Sequence, residues 1–234
     1  MGFRSWFFDK TGFDLKSLRY TPKLDLSRFE SLGDNCEFGC FLVKSGNHHS
    51  SFFRFVRVMD LSTMSQLILN HFHDVFLFDN LASWGENMVF DQQYKIAFHS
   101  AIHSHNENGN MIFNVQGEQL VEIYQNELAK ITYLSSKFLS ELKTHNKIYV
   151  IKTNQQQCLN QIDEIHNTLR SIGQCKILNV RETDDKKKLY TIEKQSDNFY
   201  IGYLDQFADY NNVPDLNFYA WYKLMANANK IMTV

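Results

Sequence analysis

Proline is almost missing from this chain. Pro22 and Pro214 are the only two in 234 residues, and they bracket the body without interrupting it. The elements between them therefore run without breakers. No internal repeat or low-complexity linker is visible, and Gln155–Gln157 is too short to be one. No run reaches 18 consecutive apolar residues, which excludes a simple membrane-spanning helix. Met1 to Tyr20 lacks an apolar core followed by a small-residue cleavage site, so no export signal is expected. A basic excess is missing too: 24 Lys and Arg stand against 26 Asp and Glu. The longest cationic run, Lys186–Lys188, directly follows Asp184 and Asp185 and reads as a solvated loop. A nucleic-acid partner is not expected. Cysteines number four, Cys36, Cys40, Cys158 and Cys175, too sparse for a disulfide framework. Free thiols in a reducing cytoplasm are the simpler expectation. Neither G-x-G-x-x-G nor G-x-x-x-x-G-K-[ST] occurs, so no nucleotide cofactor is expected.

What is present is a globular composition, 44% hydrophobic and 15% aromatic, with 20 phenylalanines. That aromatic load suits a thick core or an aromatic-lined cleft. The length suits one domain over residues 1–234, with a half at 24–115 and an α/β half at 118–225. Trp6, Phe7 and Phe8 suit packing of an N-terminal arm on the body, or contact with a membrane or partner.

Residues 24–33 read as a short strand entering a turn. Residues 35–44 read as a helix with Phe38, Phe41 and Leu42 inward. Gly46–Ser51 is a loop. Asp60 or Ser62 can cap a helix running to about Phe72, with Met64, Leu67 and Ile68 inward. Tyr94–His103 has a strand's composition, Asn106–Asn110 is a turn, and Met111–Val115 resumes a strand. Residues 118–143 carry the longest helical stripe, from Leu120 to Leu142. Lys147–Lys152, a helix over Gln155–Ser171, and Lys176–Val180 form a β-α-β unit with parallel strands. Lys188–Glu193 and Phe199–Leu204 flank a turn at Ser196–Asn198, and Leu216–Met225 is a terminal helix. The fold class is α/β or α+β, a single sheet with flanking helices.

The chemistry concentrates at Ser31-Leu32-Gly33-Asp34-Asn35-Cys36-Glu37-Phe38-Gly39. Gly33 permits a tight turn, and Asp34 or Asn35 can cap a helix. Cys36 then falls in the first helical turn, where free N–H groups and the macrodipole favour a thiolate and predict a lowered thiol pKa. Two readings stand, an activated nucleophile and a buried thiol that only packs.

On a continuous strand, His99, His103 and His105 share one face. His99 lies deepest and is the candidate base for Cys36; a histidine bonded to backbone is the alternative. Asn114, across the expected hairpin, or Asp91, can orient its ring. Asn35 and helix-start N–H groups can hold an oxyanion, and Arg54 and Arg57 can bind an anionic substrate group or form ion pairs. A zinc reading would combine the three histidines with Cys36 and Cys40, but the spacing fits no standard ligand pattern and no metal is expected.

Ser31-Leu32-Gly33-x-x-Cys36 resembles the opening signature of an uncharacterised bacterial family described as papain-like cysteine peptidases. Phe52-Phe53-Arg54-Phe55, His71-Phe72-His73-Asp74-Val75-Phe76, Tyr94–His99 and Lys147–Lys152 are similar to its later segments. The resemblance covers roughly residues 28–205. The chain lacks the Pro-Phe-Asp-Trp common near Phe53–Val56, and it has His99-Ser100 where a His-Asp step is common. The resemblance implies a Cys36/His99 pair and an association with surface-polysaccharide biogenesis. Residues and resemblance together predict acyl transfer from an amide, ester or thioester to water or another acceptor. The substrate would be a small molecule, a glycan or an acyl compound. Two other readings are a sugar-binding module, with Phe52, Phe53, Phe55, Trp84 and Tyr94 stacking on sugars, and a glycosyltransferase-like enzyme. The latter lacks an Asp-x-Asp metal motif.

Overall fold

Ile148-Tyr149-Val150-Ile151 is too short for a helix and too apolar for a surface strand, and it forms an interior strand of the protein's main sheet. The computed structural model describes residues 24–144, 147–153, 159–210 and 212–232. Trp6, Phe7, Phe8, Pro22, the Gln155–Gln157 run, the expected helix start at Gln155, and Cys158 lie outside the described residues.

In chain order, β1 (Phe29–Ser31) leads into α1 (Glu37–Lys44), β2 (Val56–Val58) and α2 (Ser62–Leu69). Then come β3 (Leu81–Ser83), β4 (Met88–Asp91), β5 (Ile96–His99), β6 (Ser104–Glu107) and β7 (Asn110–Phe113). The long α3 (Gly117–Lys143) precedes β8 (Ile148–Lys152), α4 (Leu159–Ile172) and β9 (Lys176–Glu182). β10 (Ile192–Ser196), β11 (Phe199–Leu204) and α5 (Phe218–Met232) complete the order.

The main sheet runs β1-β8-β9-β11-β10. Its first four strands are parallel, and β10 is an antiparallel edge. The period-2 geometry of a strand splits its side chains between two helical layers. Ile148, Val150, Leu178 and Val180 pack with Phe38 and Phe41 of α1 and Trp221 of α5. Tyr149, Ile151 and Ile177 pack with Phe138 of α3 and Ile162 and Ile165 of α4. Each such side chain contributes about 1.5–3 kcal/mol on full burial. The result is an α/β protein whose central sheet is covered on both faces, and β8-α4-β9 is the expected parallel unit.

Two antiparallel sheets accompany it, β2-β5-β4-β3 and the ribbon β6-β7. Both are inserted between α1 and α3. The strand expected over Tyr94–His103 stops at His99. Ser100 N–H donates to Asn87 O, and Ser104 N–H to Glu86 O, which bends the chain across the β3–β4 connection. β10 starts at Ile192 rather than Lys188, because Tyr190 has φ +63° in a turn closed by Thr191 N–H to Lys188 O. α5 continues to Met232, since Ala228 and Met232 extend its buried stripe.

One close approach fixes α1. A Cβ on Gly39 would lie 2.3 Å from Arg54 O, so this helix face admits no side chain there.

Candidate active site

β1 ends at Ser31, and the chain reverses through Gly33 (φ +90°) and Asp34 (φ +69°) before α1. Asn35 Oδ1 accepts from Glu37 N–H at 3.0 Å, which ties down one of the free donors at the helix start. Cys36 immediately precedes α1, and its carbonyl accepts from Cys40 N–H at 2.8 Å. The expected turn at Gly33 and the expected helix start are both present.

β2 links this turn to the histidine. Val58 N–H donates to Asp34 O at 3.2 Å, and β2 pairs along β5, which ends at His99. Cys36 Sγ thereby lies 3.8 Å from His99 Nε2, across 63 residues of sequence. Cys36 is half-buried, yet burial pushes its thiol up to about 12, against the pull of Lys152 and Arg57. Burial, with Lys130 adding to it, lowers His99 to about 4. The proton therefore rests on sulfur and the imidazole is neutral. The expected lowering of the thiol pKa is overturned: the cost of stripping water from a thiolate exceeds what the helix start returns.

A buried ionic network supports α1. Lys152 Nζ donates to Glu37 Oε2 at 2.6 Å and stands 3.9 Å from Asp34 Oδ2. Glu37 Oε1 also accepts from Trp221 Nε1 at 2.8 Å and Ala208 N–H at 3.1 Å. Lys152 Nζ lies over the rings of Phe207 and Tyr210 at 4.6 and 4.9 Å. The Tyr210 hydroxyl reaches both Asp34 oxygens, at 2.9 and 2.8 Å. Burial raises Asp34, and burial together with Asp34 raises Tyr210. Sequence reasoning missed Lys152, Glu37 and Tyr210. The one available signal was a lysine closing an apolar strand, which a buried parallel strand tolerates only with a partner.

The other expected residues separate. Arg57 stays in the site, its guanidinium 5.2 Å from the Tyr210 ring centre. Arg54 does not: it is fully buried, and its Nε donates to Glu30 Oε1 at 2.8 Å while Nη2 pairs with Glu30 Oε2. Its Nη1 donates to Asn47 O at 3.1 Å, so it braces the fold rather than awaiting a substrate. Asn114 Oδ1 lies 2.7 Å from His105 Nδ1, so the structure pairs it with His105 and not with His99. The reason is the bend after β5, which starts a separate ribbon. Asp91 accepts from the N–H groups of Phe76, Gln93 and Tyr94 and organises that turn. The same bend breaks up the expected histidine face. Among the described residues no three His, Cys, Asp or Glu side chains are grouped to hold a metal. The aromatics expected to stack on sugars divide: Phe52 and Phe55 line a cavity beside His99. Phe53 and Tyr94 are buried, with the Tyr94 hydroxyl donating to His73 O at 2.6 Å, and Trp84 packs on Phe90.

A cavity of about 370 Å³ opens beside His99, between β2, β5, α3 and the loop around His48 to Phe52. No helix among the described residues is long and apolar enough to cross a membrane. Compared with protein-family models, curated proteins and solved structures, the chain matches none of them.

Proposed function

We propose that the protein is a cysteine-dependent acyl-transfer enzyme acting through Cys36 and His99. The observation that carries this reading is the 3.8 Å approach of Cys36 Sγ to His99 Nε2 at the start of a helix. Cys36 Sγ attacks the carbonyl carbon of an amide, ester or thioester as its proton passes to His99 Nε2. The new bond is S–C; the bond that breaks joins the acyl carbon to the leaving nitrogen, oxygen or sulfur. His99 returns the proton to that leaving atom. Water, or a hydroxyl or amine acceptor, then attacks the thioester and regenerates the thiol. Because thiol and imidazole both rest neutral, proton transfer accompanies attack rather than preceding it.

Asn35 supports the oxyanion role. Its Oδ1 is engaged by Glu37 N–H, which fixes the amide orientation, while its buried Nδ2 has no hydrogen-bond partner among the described residues. An unused buried donor costs about 1–3 kcal/mol, a cost that a developing oxyanion would offset. Arg57 and Lys152 add positive charge near the sulfur. The family resemblance suggests an acceptor or donor from surface-polysaccharide assembly.

The test is turnover of a panel of acyl thioesters and esters. Cys36→Ala should abolish it, and His99→Ala should lower kcat by about 10²–10⁴-fold. The neutral thiol also fits a second reading, a binding module in which Cys36 only packs. No turnover across the panel, with ligand binding retained in Cys36→Ala, would select that reading.

A further inference from the structure

The cavity beside the dyad has a polarity gradient along its walls. Phe52, Val56, Phe98 and Ile131 form its buried part, while His48 and His49 line it where it meets solvent. His99 is the lining residue shared with the dyad. Its volume, about 370 Å³, falls within the range of small-ligand sites. The buried part offers carbon surface broken by the Ser51 hydroxyl, and the charged Lys130 lies at the exposed rim, so a sugar or a charged amino-acid side chain would lose most of its hydrogen bonds there. An aliphatic chain would lose none and would remove its own apolar surface from water.

We infer that this cavity receives the aliphatic acyl chain of the substrate, with the chain's carbonyl held at the Cys36–His99 pair. The inference rests on the acyl-transfer reading for which end of the ligand meets Cys36. It assigns the protein to donors of medium acyl length and discriminates against acetyl.

Two measurements test it. The first compares kcat/KM for the S-octanoyl and S-acetyl thioesters of N-acetylcysteamine. Octanoyl should be favoured by about tenfold or more, because added methylenes are recognised only where a pocket receives them. Leu134 lines the cavity from α3 and is half-buried. Leu134→Trp should reduce the octanoyl-to-acetyl ratio by about tenfold. Leu134→Ala reads in the opposite direction and should move the preferred chain length upward, which keeps the test open if the tryptophan variant fails to fold. The second measurement is calorimetric binding of octanamide and acetamide to the Cys36→Ala protein, where catalysis plays no part. Octanamide should bind measurably more tightly than acetamide, and Leu134→Trp on that background should weaken it.

Equal rates for both thioesters, with a ratio unmoved by either Leu134 variant, would overturn the cavity assignment while leaving acyl transfer in place. Octanamide binding that Leu134→Trp weakens, without turnover of either thioester, would support the cavity and overturn the catalytic reading. Octanamide no tighter than acetamide would overturn the assignment by itself.

Discussion

Arg54 and Arg57 sit on one short segment and carry the same charge, yet their surroundings give them different work. Arg54 is wholly buried against Glu30, and Arg57 is partly exposed over Tyr210. Arg54→Ala should cost about 3–5 kcal/mol, because it strands a buried carboxylate. Arg57→Ala should cost about 1 kcal/mol or less, since an exposed cation–ring contact is weak. Urea denaturation of the two variants checks this. His99 gives a second residue-scale prediction. Its pKa is depressed to about 4, so the neutral base persists well below the ordinary value of 6.5. The acid limb of kcat/KM should therefore lie near pH 4, and a pH–rate profile reads it. For folding the sign is the reverse of a benefit. Between pH 6.5 and about 4 the unfolded chain takes up a proton that native His99 refuses, so stability falls as pH drops through that window. Nothing around Cys36 in the sequence could show the desolvation that raises its thiol, because the atoms that crowd it come from elsewhere in the chain.

Helices and strands were legible to the extent that their signals were local. The stripe from Leu120 to Leu142 becomes α3, and the apolar run Ile148–Ile151 becomes β8, because periodicity alone specifies both. β5 was overextended because its end is set by hydrogen bonds from Ser100 and Ser104 to the connection between β3 and β4, which no local pattern encodes. The bend after β5 places Asn114 beside His105 and not beside His99. The turn at Gly33 and the Asn35 cap depend on residue types at short spacing, whereas the approach of Cys36 to His99, 63 residues apart, was legible only from the two residue types and the family resemblance. Gly39 sets the element-scale prediction. A methyl group there would meet the Arg54 carbonyl, and backbone cannot swing aside as a side chain can. Gly39→Ala should destabilise by about 1–3 kcal/mol despite alanine's better helix propensity, as a thermal melt would show.

At the scale of the molecule, the two halves of the chain build one site. Cys36, Glu37 and His99 come from the segment before α3, and Lys152 and Tyr210 from the segment after it. Cys36 and Lys152 lie at the carboxyl ends of neighbouring parallel strands β1 and β8, the end of an open α/β sheet where ligands commonly bind. The Glu37–Lys152 pair joins the halves directly at 2.6 Å. A double-mutant cycle with Glu37→Gln and Lys152→Met should therefore give a coupling of about 0.5–3 kcal/mol in denaturation, the double variant losing less than the sum of the singles. Additive losses would mean that the pair does not couple the halves.

The acyl-transfer account is tested most directly by trapping the covalent intermediate. Protein is mixed with an acyl thioester, quenched in acid and weighed intact, with peptide mapping to locate the adduct. The account predicts one acyl group on Cys36, none on any residue in Cys36→Ala, and formation slowed by about 10²–10⁴-fold in His99→Ala. An adduct on Cys40 or Cys175, or acylation of Cys36 at the same rate without His99, would contradict it.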